Sequence, residues 1–151
     1  MDIRIICLGT LKEDYLKIAQ EELLGKILKK NRVTTCTILE LKEEPVKDDA
    51  SEAMILKALE IEGQRILEKL PRSGRTICLD IQGRKAGQAY FSKILKEMNY
   101  QSLTDLTFII GGSHGLSEAV KRKAERISFS SLTYPHQLFR IALMEALDLY
   151  L

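Results

Sequence analysis

Ile109–Leu116 reads IIGGSHGL and Ser128–Arg140 reads SFSSLTYPHQLFR. Each stretch leaves an apolar strand through a turn and runs into a helix. In an α/β protein that junction is where small ligands bind, because backbone N–H and C=O groups lie open at the strand ends. A glycine pair lets a ligand approach the main chain closely, since no Cβ stands in the way. Together the two stretches predict an enzyme with a pocket built from loops.

Upstream, strands alternate with helices. Ile3–Leu8 (IRIICL) is a short apolar strand closed by Gly9. Glu13–Lys30 carries Tyr15, Leu16, Ala19, Leu23, Ile27 and Leu28 at helical spacing, with a lysine-rich outer face. Val33–Leu41 is β-branched and strand-like, and Pro45 breaks the charged loop after it. Asp49 and Glu52 have the spacing of a capping box and open a helix reaching Leu70. Thr76–Ile81 is a strand ending at Gly83, Ala89–Asn99 a helix, and Leu106–Ile110 a strand. Ser117–Arg126 reads as a basic helix, Ile127–Phe129 as a very short strand, and Pro135 begins the last helix. Strands interleaved with crossover helices imply an α/β fold with a mostly parallel sheet covered on both faces. No repeat or low-complexity stretch interrupts the pattern, so residues 1–151 are expected to form a single domain.

Composition narrows the class. Hydrophobic residues make up 45% and charged residues 29%, as in a globular rather than a disordered chain. The net charge of +2 permits an anionic partner without demanding one. No apolar run approaches membrane-spanning length, and MDIRIICLGT is too short and strand-like for a signal peptide. Cys7, Cys36 and Cys78 sit in apolar or β-branched segments without short Cys/His spacing. Buried free thiols, no metal and a cytoplasmic location are therefore expected.

In the final helix, apolar residues from Leu138 to Leu151 surround most of the circumference, leaving a stripe of Gln137, Arg140, Glu145 and Asp148. Such a helix is buried on several sides. Its terminal place favours a subunit interface over a plain core helix, with Met144 and Leu147 as candidate contacts.

GGSHGL is neither a dinucleotide fingerprint nor a P-loop, because the G-x-G spacing and the Gly-Lys-Ser/Thr ending are both missing. Alone, a glycine pair is weak evidence and marks a tight strand-to-helix turn equally well. Its significance comes from LDIQG (Leu79–Gly83) and SSLTYPHQ, which end two other strands and would share one concave site with it.

With the upstream EGQRIL (Glu62–Leu67), these motifs resemble the ribosomal RNA large subunit methyltransferase H family across nearly the whole chain. These are SPOUT-class enzymes that methylate N3 of a pseudouridine in 23S rRNA. The resemblance implies a SPOUT-type α/β knot with a C-terminal trefoil, S-adenosylmethionine (S-adenosyl-L-methionine) as cofactor, and a homodimer acting on 23S rRNA. It places cofactor contacts on Leu79, Gly111 and Gly112, and on Phe129, Ser130, Ser131, Leu132, Thr133 and Tyr134. Leu79 and Leu132 would flank the adenine; without the resemblance, plain core packing explains both.

His136, after Pro135, suits a general base by residue type, and a role in orienting the loop explains it equally well. His114 would touch RNA or face water. Arg140, one turn beyond His136 in an apolar helix, needs an anionic or carbonyl partner. Arg140 and His136 are the candidate catalytic residues, with an intramolecular ion pair as the alternative for Arg140.

The implied reaction is an in-line displacement by a base nitrogen that must lose its proton. The protein must then supply positioning, a proton acceptor and donors for the charge developing on the flanking carbonyls. Lys121, Arg122, Lys123 and Arg126 are candidate phosphate contacts, or simply a solvated face. The family carries a C-terminal Tyr-His tail that MEALDLYL, ending at Leu151, lacks. That difference keeps a second expectation open, a dimeric cofactor- or RNA-binding protein with little or no turnover.

Overall fold

The computed structural model describes residues 1–132 and 134–151. In chain order the elements are β1 (Asp2–Leu8), α1 (Asp14–Ile27), β2 (Thr35–Leu41), α2 (Glu52–Leu67) and β3 (Arg75–Lys85). They continue with α3 (Gln88–Tyr100), β4 (Asp105–Ile110), α4 (Glu118–Lys123), β5 (Glu125–Ser128) and α5 (His136–Tyr150). The five strands form one sheet in the order β2-β1-β4-β3-β5. Every pairing is parallel. All strand C-termini therefore meet at one edge, which is where the glycine turns lie.

Alternation along the strands builds two apolar layers. Ile3, Ile5 and Cys7 of β1 with Leu106, Phe108 and Ile110 of β4 pack against α1, α3 and α5. Ile6, Leu8, Cys78 and Ile109 face the other way, onto Ile66 of α2 and Val120 of α4. This is the expected α/β sheet covered on both sides.

Several boundaries differ from the sequence reading. Ser51, not Asp49, caps α2: its Oγ accepts from the Met54 N–H at 3.3 Å. The basic helix is short because Ala124 is already extended, which frees Arg126 for β5, opposite Cys78. β3 does not stop near Ile81. Its register with β5 shifts between Leu79 and Arg84, and the strand runs on to Lys85. A Cβ at Gly83 would lie 2.7 Å from the Arg126 carbonyl carbon and the Ile127 nitrogen. Two main chains touch there, and only glycine allows it.

The last helix is correctly read as apolar, but of its polar stripe only Glu145 is exposed, and the other three members are engaged within the subunit. The Gln137 Oε1 accepts from the Lys12 N–H at 2.9 Å, Arg140 is buried, and Asp148 pairs with Lys30 at 3.0 Å. The stripe thus fastens α5 to the N-terminal third of the chain. Leu143, Met144 and Leu147 are wholly inside the subunit's own core. Met144 and Leu147 are therefore not contacts with a second subunit. The exposed apolar side chains in this region are Leu138 and Leu149 on α5 and Tyr15 and Ile18 on α1.

Cys7, Cys36 and Cys78 are free and buried, and burial pushes each thiol up to about 11. Among the described residues, no helix is long and apolar enough to cross a membrane, and no group of side chains could hold a metal ion.

Candidate active site

A cavity of about 750 Å³ opens at the C-terminal ends of β3, β4 and β5. Its apolar wall comes from Leu79, Ile110, Leu116, Ile127, Phe129 and Phe139. Asp80, Gln82, Ser113, His114, Lys121, Ser128 and His136 supply polar groups. An apolar cleft with a few convergent polar groups, at the C-terminal edge of a parallel sheet, is the expected site for a small organic ligand.

The glycine turn forms one wall. Gly112 and Gly115 make an antiparallel bridge, and the Gly115 N–H donates to the Gly112 carbonyl at 3.1 Å. Gly115 has φ +84°, a left-handed conformation that favours glycine. A Cβ on Gly111 would stand 2.6 Å from the Gly115 carbonyl oxygen. The loop's own closure, rather than contact with a ligand, thus demands glycine at Gly111. At Gly112 a Cβ would meet only the Glu43 Oε1, at 2.7 Å, the mobile end of a side chain.

Asp80, at the end of the LDIQG strand, organises the opposite wall. Its Oδ2 accepts from the Arg126 Nε at 2.8 Å and lies 2.7 Å from Nη2, with the Lys121 Nζ at 3.7 Å. Its Oδ1 accepts from the Gln82 N–H at 3.1 Å. Burial alone would raise this carboxyl, but those hydrogen bonds and charges outweigh it and hold the group below the usual carboxylate range. Lys121 and Arg126 are consequently tied to Asp80, whereas Arg122 and Lys123 remain exposed on α4.

Of the sequence-derived cofactor residues, Leu79, Gly111, Gly112, Phe129 and Tyr134 line this cavity. The Ser130 hydroxyl accepts from the Leu132 N–H at 3.0 Å in an exposed local turn, while its carbonyl accepts from the Ser128 hydroxyl. Ser131 and Leu132 stand exposed, Leu132 at 62%, and are not part of the wall. Thr133 lies outside the described residues.

The two candidate catalytic residues separate. His136 lines the cavity from the start of α5, with its Nε2 3.8 Å from the Glu43 Oε1. Arg140 is 2% exposed and points away from the cavity. Its Nη1 donates to Glu40 at 2.8 Å and Gln20 at 3.1 Å, and its Nη2 to the Gly9 carbonyl at 3.2 Å. The intramolecular ion pair is the arrangement found.

Two glutamates were not singled out from sequence. Glu43 reaches over Gly9 and Gly112 towards His136. No periodicity marks a residue in a Pro-interrupted loop. Glu62 is buried on α2, and its Oε2 accepts from the Glu44 N–H at 2.9 Å. Here a signal existed, because Ala58, Glu62 and Ile66 recur at helical spacing on the buried stripe. The neighbouring Gly63 lets α2 close onto Ser117, whose Oγ caps α4 by accepting from the Val120 N–H at 3.3 Å.

Sheet order and a loop-built cavity at the strand ends define an α/β protein with a small-ligand site. A family model described as "Predicted SPOUT methyltransferase" matches residues 1–150. Curated relatives named Ribosomal RNA large subunit methyltransferase H include those of Streptococcus pneumoniae strains CGSP14, 70585 and JJA. Each is 44% identical over 146 residues, covering 96% of this chain and 90% of the relative. The chain belongs to the SPOUT methyltransferases and, within them, to the ribosomal RNA large subunit methyltransferase H family. It is accordingly a methyltransferase, from a class known for its knot.

Proposed function

We propose that residues 1–151 act as one domain that transfers a methyl group from S-adenosylmethionine to N3 of a pseudouridine in bacterial 23S rRNA. The observation that carries this reading is the cavity of about 750 Å³ bounded by Leu79, the Gly111–Gly112 turn and Phe129. Its size falls in the roughly 300–1,000 Å³ range of small-ligand sites. Its chemistry fits the cofactor, with apolar side chains for the adenine faces and strand-end backbone groups for its edge. When bound, the cofactor supplies a methyl carbon activated by an adjacent sulfonium.

The chain's residues then hold and orient. Leu79, Leu116 and Phe129 exclude water from the ring, and the closed glycine turn fixes the wall beside it. Asp80, tied to β5 through Arg126, keeps the two strand ends together. His136 is the proposed proton acceptor, since it faces the cavity. Arg140 is proposed as a positioning residue acting through Glu40 and the Gly9 carbonyl. Arg122 and Lys123 are proposed to contact RNA phosphates.

A C-terminal trefoil knot is proposed from membership of the SPOUT class, which is known for one. Exposed Tyr15, Ile18, Leu138 and Leu149 support a homodimer through α1 and α5. A ribosomal substrate and reduced thiols support a cytoplasmic location. Calorimetry with S-adenosylmethionine, followed by methyl incorporation into ribosomes lacking the modification, tests the reading. Binding with incorporation at N3 is expected; no binding, or methylation at another atom, overturns it.

A further inference from the structure

Behind the glycine turn lies a second cavity of about 300 Å³, sharing Ser113 and His114 with the first. Its floor is apolar, made by Val46 of the β2–α2 loop and by Ile55, Ala58 and Leu59 of α2. Glu43, Glu44 and Glu62 complete it. Glu44 is paired with Arg65 at 2.7 Å. Glu62 is only 7% exposed, and its Oε2 takes the Glu44 N–H. Its other oxygen, Oε1, makes no hydrogen bond to the described residues, so a deeply buried carboxyl on the cavity wall keeps an open acceptor. That oxygen is reached from the cavity rather than sealed off, since the Tyr90 hydroxyl is the one buried side-chain polar atom without a partner among the described residues.

We propose that this cavity is the subsite for the target base, and that the open Glu62 oxygen accepts from a ring N–H of that base. The proposal rests on the reading of the chain as a base methyltransferase and gives that reading a specificity residue. Charge decides among ligands. Glu43 and Glu62 repel an RNA phosphate or the methionine carboxylate, and these side chains do not converge on a metal site among the described residues. A flat neutral ring with N–H donors satisfies both parts of the cavity: its faces lie on Val46, Ile55 and Leu59, and its edge meets Glu62. Pseudouridine differs from uridine in having a second ring N–H, at N1. An acceptor placed there distinguishes the two bases, because a site built to hydrogen-bond a group rejects the analogue lacking it. Burial, opposed by the Glu44 N–H, raises the Glu62 carboxyl above the usual carboxylate range, and a donor on the base edge would favour its charged form.

The test uses the whole chain with methyl-labelled Ile, Leu and Val, titrated by NMR with pseudouridine, uridine and N1-methylpseudouridine. Calorimetry with S-adenosylmethionine runs in parallel. Pseudouridine is expected to shift the Val46, Ile55 and Leu59 methyls and to bind roughly tenfold more tightly than the other two nucleosides. Glu62→Gln should erase that preference. Ala58→Met, which fills the cavity and retains the Glu62 carboxyl, should abolish the shifts, and both variants should bind the cofactor as the parent does. Absence of nucleoside shifts at these methyls overturns the proposal, as does an unchanged preference in Glu62→Gln. Loss of cofactor binding in Ala58→Met also overturns it, by assigning the cavity to the cofactor. Failure of the parent chain to bind S-adenosylmethionine instead overturns the underlying reading, while the nucleoside titration still decides the subsite.

Discussion

Arg126 grips Asp80 with two nitrogens on one oxygen, Nε at 2.8 Å and Nη2 at 2.7 Å from Oδ2. The contact joins the end of β3 to β5 at the mouth of the cavity, where β3 leaves its first register. It also explains why a run of basic residues is only partly available to RNA. A charged side chain in a basic segment can be a structural element of the wall.

Asp80→Asn should therefore loosen the site. Hydrogen bonds to charged groups are worth about 1.5–3 kcal/mol, and the half-exposed Arg126 places the expected loss at the low end. The pH dependence has a defined sign. The folded carboxyl lies below its ordinary value of 3.8, so the folded state binds the proton more weakly than the unfolded one. Its stabilisation is complete above that value and is lost as pH falls through the lowered one. Urea unfolding should show a parent–variant gap at pH 7 that closes below pH 3.8; a gap independent of pH would contradict the assignment.

Arg140→Met separates positioning from a direct role in the site. It removes the partner of Glu40, Gln20 and the Gly9 carbonyl from a position 2% exposed. Breaking a buried pair costs about 3–5 kcal/mol, and hydration of the more exposed Glu40 should bring this nearer 2–3. Thermal unfolding should record that loss, while affinity for S-adenosylmethionine changes less than roughly threefold because the guanidinium is off the cavity wall. A tenfold loss of affinity with unchanged stability would place Arg140 at the ligand.

The glycine turn gives a paired experiment. At Gly111 an added Cβ collides with the Gly115 carbonyl, whereas at Gly112 it meets only the end of Glu43. Gly111→Ala must open the loop and should weaken cofactor binding by about tenfold or more, roughly 1.4 kcal/mol. Gly112→Ala should stay within about threefold, as Glu43 swings aside. Calorimetry on both variants decides, and equal losses would mean that the ligand contacts Gly112 itself.

All three thiols are buried and pushed up to about 11 by that burial. Iodoacetamide at pH 8 should leave them unmodified in the native protein, since the thiolate is the reactive form. Labelling should rise only with global unfolding, as read by mass spectrometry across a urea series. Prompt modification of any one thiol in native buffer would show local opening of its strand.

Much of this architecture is legible in the sequence because apolar runs such as IRIICL and LTFII can only be buried strands, and turn residues mark where they end. What escapes is long-range. The continuation of β3 past Gly83 depends on a second main chain lying against it, which no local pattern encodes. The helical end at Lys123 is set by β5 pairing with β3, and pairing overrides the helix-forming run KRKAER. At the site, three loops could be grouped from their strand-end positions, yet the direction of each side chain could not. Leu132 is therefore exposed where an adenine contact was expected, while buried Arg140 takes the ion pair with Glu40 that the sequence left open as its alternative. Glu62 was readable in principle, being a carboxylate on the buried stripe between Ala58 and Ile66.

The proposed dimer can be tested without unfolding the subunit. Leu149 is 71% exposed and Ile18 60% exposed, on two helices that pack against each other. Leu147, one turn back from the C-terminus, is completely buried in the subunit's core. A charge at Leu149 or Ile18 meets water in a free subunit and costs little, but becomes an uncompensated buried charge in an interface. A charge at Leu147 is buried in either state. Leu149→Asp and Ile18→Asp should therefore yield folded monomers by sedimentation, with unfolding that no longer depends on protein concentration. Leu147→Asp should give insoluble or unfolded protein. If the parent chain sediments as a monomer at micromolar concentration, or both surface variants remain dimeric, the interface does not lie on the α1–α5 face.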